Sequence, residues 1–143
     1  MRLLVGLGNP TVRHEETRHN VGFRVLDVVR RRGPAGPWRS RFRGQLCDVD
    51  VGCGALWLLK PMTFMNASGA SVGLATAALG LDLPDLLVVH DDLDLPFGRL
   101  RVKRAGGHGG HNGVRSVAEA LGADGFARLR VGKPHIGSYG YVQ

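Results

Sequence analysis

Cysteine is scarce in this chain: Cys47 and Cys53 are the only two among 143 residues. Two thiols build neither a disulfide framework nor a zinc knuckle. Their even separation, with Val49 and Val51 alternating between them, predicts one strand face and buried free thiols in a reducing compartment. Long apolar runs are also missing. Nothing approaches the roughly 18 consecutive apolar residues of a membrane-spanning helix, and MRLLVGLGNP is too briefly apolar for a signal peptide. A cytoplasmic protein with no membrane association is therefore expected. There is no internal repeat and no linker, so residues 1–143 read as one domain. Acidic residues are few. Twelve Asp and Glu face nineteen Lys and Arg, a formal charge of +7, and sixteen of the nineteen are Arg. Such an excess says nothing of fold, but it favours a polyanionic partner such as nucleic acid.

The apolar pattern alternates between strand and helix. Leu3 to Leu7 is short, uniformly apolar and ends at Gly8-Asn9-Pro10, which suits a strand buried on both faces. From Asn20 to Arg32, valines recur at helical spacing, with Asn20 as candidate N-cap and Gly33-Pro34 as the stop. Arg39 to Gly44 reads as a basic loop entering a strand. Leu46–Val51 and Leu56–Leu59 then form a hairpin. Residues 67–79 predict a helix closed by Gly80, and Leu86–His90 a second buried strand. Arg99–Arg104 alternates, with Leu100 and Val102 on one side and Arg99, Arg101 and Lys103 on the other. Val114–Leu121 predicts a helix closed by Gly122, and Arg128–Val131 a last strand. Strands alternating with helices predict an α/β fold with a mixed sheet.

Ligands of open α/β sheets bind outside the carboxyl ends of the strands. Asn9, His90-Asp91-Asp92, His19-Asn20, Asn66 and Asn112 all fall at that edge. They supply a potential base, carboxylates to orient it, and amides. Each also has a plain structural reading. Asn66 and Asn112 stand where helix N-caps stand, Asn9-Pro10 is turn chemistry, and Asp91, Asp92 and Asp94 fit a solvated acidic turn. VGLGNPT has only two glycines of a dinucleotide fingerprint, Thr11 occupying the third place. GGHGGHNG can cradle an anion with its amides but lacks the Lys-Ser/Thr of a P-loop. His108 and His111, with His90, Asp91, Asp92 and Asp94, form the competing metal reading. A glycine loop does not fix their spacing on one face.

Taken together, VGLGNP, TRHNVGF, KPMTFMNASG, VVHDDLDLPFG, GGHGGHNGVRS and FARLRVG, in this order between Val5 and Gly132, resemble bacterial peptidyl-tRNA hydrolases. The resemblance implies one α/β domain, a twisted mixed sheet flanked by helices. It implies a cytoplasmic esterase, needing no metal or cofactor, that frees peptides from peptidyl-tRNA left by stalled translation. The implied partner is peptidyl-tRNA, through its acceptor stem and 3′ end. By the same resemblance His19 is the catalytic base, Asp91 holds it, and Asn9 positions water and carbonyl. Asn66 and Asn112 read the peptide backbone beside Met65 and His111, and Lys103 and Arg130 grip a tRNA phosphate. No serine or cysteine nucleophile stands beside a base in these motifs.

Three features depart from the family pattern. Thr11 stands where a turn glycine is usual, and His14 where a tyrosine is usual. After Gly132 the chain runs from Lys133 to Gln143, with Tyr141-Val142 as a strand remnant, and lacks the family's closing helices. The family implies a monomer; apolar surface left uncovered there opens the way to dimerisation. Other readings are a diverged member acting on another aminoacyl-tRNA or peptidyl ester, and a catalytically impaired tRNA-binding protein. A small-molecule or metal hydrolase is a third, which EDTA would expose.

Overall fold

A computed structural model describes residues 1–10 and 20–132. Seven strands, β1 (Leu3–Gly6), β2 (Arg39–Arg41), β3 (Gly44–Asp50), β4 (Ala55–Pro61), β5 (Leu86–Asp92), β6 (Leu100–Lys103) and β7 (Ala127–Gly132), form one mixed sheet in the order β2-β3-β4-β1-β5-β7-β6. β1 lies between parallel neighbours β4 and β5, and β7 runs parallel to β5. β2–β3–β4 and β6–β7 pair antiparallel, so the expected hairpin lies on one side of the sheet and an antiparallel strand closes the other.

The uniform apolarity of β1 and β5 has a direct cause, because successive strand side chains serve opposite faces. On one face α1 (Val21–Arg30) places Leu26 among Leu4, Val49, Leu58 and Val89. On the other, α2 (Ser68–Leu79) and α3 (Asn112–Leu121) pack Val72, Ala75, Val114 and Val117 over Leu3, Val5, Leu59 and Val88. Each fully buried Leu or Val of these layers contributes roughly 1.5–3 kcal/mol. Gly80 and Gly122 end α2 and α3 in the left-handed conformation, at φ 65° and 69°, where a glycine has no Cβ to clash. Lys60, buried in β4, reaches Asp27 of α1 at 2.6 Å beneath the Trp38 ring, tying that helix to the sheet.

The structure corrects several local expectations. Arg39–Arg41 is a strand, not a loop, its three residues all exposed at the sheet edge. Cys47 is buried, but Cys53 is exposed beyond the end of β3, because the chain turns after Asp50 before the alternation reaches it. In β6 the alternation is present, yet Leu100 and Val102 are 64% and 61% exposed, since no described element covers that face of this edge strand. Among the described residues, no helix is long and apolar enough to cross a membrane.

Candidate active site

The edge formed by the carboxyl ends of β1 and β5 is assembled by close backbone contacts. A Cβ on Gly6 would lie 2.3 Å from the Gly22 carbonyl oxygen, and one on Gly22 equally close to that of Leu7. Glycine at both positions lets the start of α1 press on the end of β1. Asn20 occupies the N-cap position of α1, but its side chain makes no cap hydrogen bond. Instead its Oδ1, buried within this contact, accepts the backbone N–H of Asn9 at 2.8 Å. The loop leaving β1 is thereby fastened to the residue that enters α1. His19, covalently next to Asn20, lies outside the described residues, as do Thr11, His14 and residues 133–143 with Tyr141-Val142.

A second fastening joins β5 to α3. The N-cap of α3 is His111, not Asn112: its Nδ1 accepts the N–H groups of Gly113 at 3.1 Å and Val114 at 3.3 Å. With Nδ1 an acceptor, the ring proton sits on Nε2, which donates to Asp91 Oδ1 at 2.9 Å. His111 thus satisfies helix amides with one nitrogen and aims the Asp91 carboxylate with the other. His90 packs edge-on against it, ring centroids 4.7 Å apart, and its Nδ1–H donates to the Asp91 carbonyl oxygen at 2.8 Å. Burial, followed by the neighbouring His111, pushes the His90 imidazole down to about 4. Its other nitrogen is buried and, among the described residues, has no hydrogen-bond partner.

Met65 and Asn66 lie in a 3-10 turn, Met65–Ala67, that precedes α2, whose N-cap position is Ala67. Asn66 is therefore no helix cap. The turn is held by the Ser68 hydroxyl on the Met65 carbonyl and, across to α3, by the Gly69 N–H on the Ser116 hydroxyl, both at 2.8 Å. A Cβ on Gly113 would lie 2.7 Å from Met65 Sδ and 2.8 Å from Leu7 Cδ1. Glycine there brings Met65, His111 and the end of β1 together. Asn112 is the first residue of α3, exposed, its Oδ1 accepting from Arg115 at 3.0 Å.

Beyond Asp91 opens a cleft of about 380 Å³ whose walls include Lys103, Arg128, Arg130 and the loop Gly107–His111. Its cations are engaged. Arg130 pairs with Asp92, and Lys103 Nζ donates to the Gly107 carbonyl at 3.0 Å. Burial alone would raise the Asp92 carboxyl, but the Asp94 amide and Arg130 outweigh it and hold it below the usual range. Arg128, 1% exposed, donates to the carbonyls of Gly107, Asp124 and Phe126 with its guanidinium 4.4 Å over the Phe126 ring. In the glycine loop, His108 Nδ1 accepts the Gly110 N–H at 2.9 Å, so both loop histidines turn a nitrogen to backbone. Among the described residues, no three His, Cys, Asp or Glu side chains converge as a metal-ligand group.

The comparisons with known proteins agree with one another. Residues 3–141 match the peptidyl-tRNA hydrolase family. This chain belongs to that family. It is 49% identical over 138 residues to a peptidyl-tRNA hydrolase of Rhodopseudomonas palustris (strain BisB18), covering 96% of this chain and 68% of the relative. With that of Rhodospirillum centenum the identity is 51%, covering 96% of this chain and 60% of the relative. The crystal structure of peptidyl-tRNA hydrolase from Acinetobacter baumannii superposes with a TM-score of 0.87 at 36% identity, covering 99% of this chain and 72% of that one. The chain thus spans about 60–70% of the length of these family members.

Within this peptidyl-tRNA hydrolase scaffold, the sequence-predicted residues fall into two groups. Asp91, His111 and Met65 are joined directly or through Gly113, with Asn66 and Asn112 as their chain neighbours and Asn9 at the end of the adjacent strand. Lys103 and Arg130 line the cleft whose wall Asp91 and His111 share. Sequence reading placed Asn20 and His90 at this edge but missed their roles, Asn20 as the anchor of Asn9 and His90 packed on His111 beside Asp91, and it missed Arg128 under the glycine loop altogether. Arg128 too left a signal, since it shares the alternating face of Arg130 in β7.

Proposed function

We propose that this chain hydrolyses the ester joining a peptide to the terminal ribose of tRNA, acting as one cytoplasmic domain. Family membership supports the reaction class. The observation that carries the local reading is the Asp91 carboxylate, oriented by His111 at the end of β5, beside the strand whose exit loop is fastened to Asn20. His19 directly precedes Asn20 in the chain.

In this reading His19 takes a proton from water as the water oxygen attacks the ester carbonyl carbon. An imidazole of ordinary pKa near 6.5 suits that task, and a carboxylate partner favours the imidazolium that forms. Asp91 is that partner. Negative charge develops on the carbonyl oxygen, where an amide donor from Asn9 stabilises it; such a donor typically contributes about 2.7–4 kcal/mol. The tetrahedral adduct collapses with cleavage of the carbon–ribose oxygen bond, and the His19 imidazolium returns its proton to that oxygen. A peptide carboxylate and free tRNA leave. Asn66 and Asn112, exposed at the same edge, pair with peptide backbone, which every peptide sequence presents alike. Lys103 and Arg130 hold a phosphate of the acceptor end.

The test is hydrolysis of an N-acetylated aminoacyl-tRNA beside its unblocked form. Preferential cleavage of the blocked form is expected. Equal cleavage would instead indicate a different aminoacyl ester as the substrate.

A further inference from the structure

The cations assigned to a phosphate of the acceptor end already have partners within the protein. In the register of β5, β7 and β6, Arg130 stands opposite His90 on one side and Arg101 on the other, and Arg128 stands opposite Lys103. Arg101, Lys103, Arg128 and Arg130 therefore share one face of the sheet, like charge against like charge, which repels unless something offsets it. Asp92, two residues beyond His90 on β5, shares that face. Among the described residues it is the one carboxylate in an ion pair with any of these cations. Nε and Nη2 of Arg130 both donate to Asp92 Oδ2, while Oδ1 accepts the Asp94 N–H at 2.8 Å. The guanidinium edge that offers two parallel donors to a phosphate is thus filled by the protein's own anion. The pair lies largely out of water, its side chains 12% (Asp92) and 25% (Arg130) exposed.

We propose that Asp92 is an internal competitor for that phosphate, occupying Arg130 in the free chain and reclaiming it when the RNA departs. The proposal rests on the reading that Lys103 and Arg130 hold a phosphate, and adds what sets the strength and lifetime of that contact. The reaction calls for such a competitor. Ester hydrolysis leaves every phosphate of the RNA in place, so a phosphate contact is common to substrate and product and holds both alike. A carboxylate already seated on the guanidinium weakens that common contact and hastens release. Lys103 meets no comparable rival. It gives up only the neutral Gly107 carbonyl, which keeps its bond from Arg128 at 3.0 Å. The other carboxylates of the cleft do not compete in this way: Asp91 is held by His111, and Asp94 is exposed.

The test titrates an acceptor-stem RNA hairpin, fluorescently labelled in its loop, against the full chain by anisotropy, and follows its dissociation by a chase with unlabelled hairpin. Asp92→Asn is expected to tighten binding about tenfold, the gain of a charge-assisted bidentate contact. The change should fall in a slower dissociation rate, because a contact acts there whereas a diffuse charge acts on association. Asp94→Asn removes the same charge from the exposed rim and should stay within about twofold of the parent. In an Arg130→Ala background, Asp92→Asn should likewise change affinity by no more than about twofold. Circular dichroism checks that each variant is folded. A tightening that persists without Arg130, or that appears only in association, overturns the proposal. Parental affinity in Asp92→Asn, with Arg130→Ala and Lys103→Ala both weakened, overturns the role of Asp92 and leaves the phosphate reading standing. Parental affinity in Arg130→Ala and Lys103→Ala sinks the phosphate reading, and the proposal with it.

Discussion

Two groups of arginine-rich positive charge flank the candidate site, and they are built in opposite ways. In the cleft beyond Asp91, Arg128 is buried under three carbonyls, Arg130 faces Asp92, and Lys103 holds the Gly107 carbonyl. Across the edge, Arg39, Arg41 and Arg43 stand exposed on a two-stranded margin. The first group organises the protein: Arg128 and Lys103 pin the glycine loop that leads into His111 and hence into Asp91, and Arg130 ties β7 to Asp92. The second has no such duty within the described residues. The sequence's +7 charge therefore combines cations that hold the fold with cations open to a polyanion.

The largest difference between the groups should appear in stability. Arg128→Leu strips donors from three carbonyls and is expected to lower urea stability by roughly 3–4 kcal/mol. Arg41→Leu should stay within about 0.5 kcal/mol of the parent. Similar losses in both would break the comparison.

The next effect belongs to the histidines between the two groups. His90 titrates near 4 when folded, well below the ordinary 6.5, so the unfolded chain takes up its proton first as pH falls. Stability should be fully present above about pH 6.5 and decline towards pH 4, by roughly 3 kcal/mol in all. Chemical denaturation across that window measures it, and His90→Gln should flatten the decline. A wild-type profile level from pH 6.5 to 4 would argue against the buried neutral ring.

A smaller loss of stability than at Arg128 or His90 is expected at His111. Loss of its cap in His111→Ala should cost about 1 kcal/mol. His111→Asn should regain most of that, since asparagine caps well, while esterase activity stays depressed because Asp91 has lost its orienting donor. Recovery of activity together with stability would reduce His111 to a cap.

How much of this was legible beforehand follows from what each pattern can encode. β1, β5 and the helices ending at Gly80 and Gly122 were readable, because two-faced burial and left-handed caps leave local signatures. Cys53 was misread as buried, and the exposure of the apolar face of β6 was not foreseen, since alternation states which residues share a face and not whether anything covers it. The polar residues at the carboxyl edge were identified by strand ends and by resemblance, but their partners were not. Asn20 and Asn112 look like caps by type and place. That neither side chain caps depends on contacts eleven or more residues away: Asn20 spends its acceptor on Asn9, and His111 takes the capping role because Asp91 fixes its other nitrogen.

The most direct test of the central claim is single-turnover cleavage of N-acetylated aminoacyl-tRNA by the parent chain and by His19→Ala, with tRNA affinity measured alongside. The account predicts at least a hundredfold loss of cleavage with affinity nearly unchanged. Cleavage at the parental rate in the variant would contradict it.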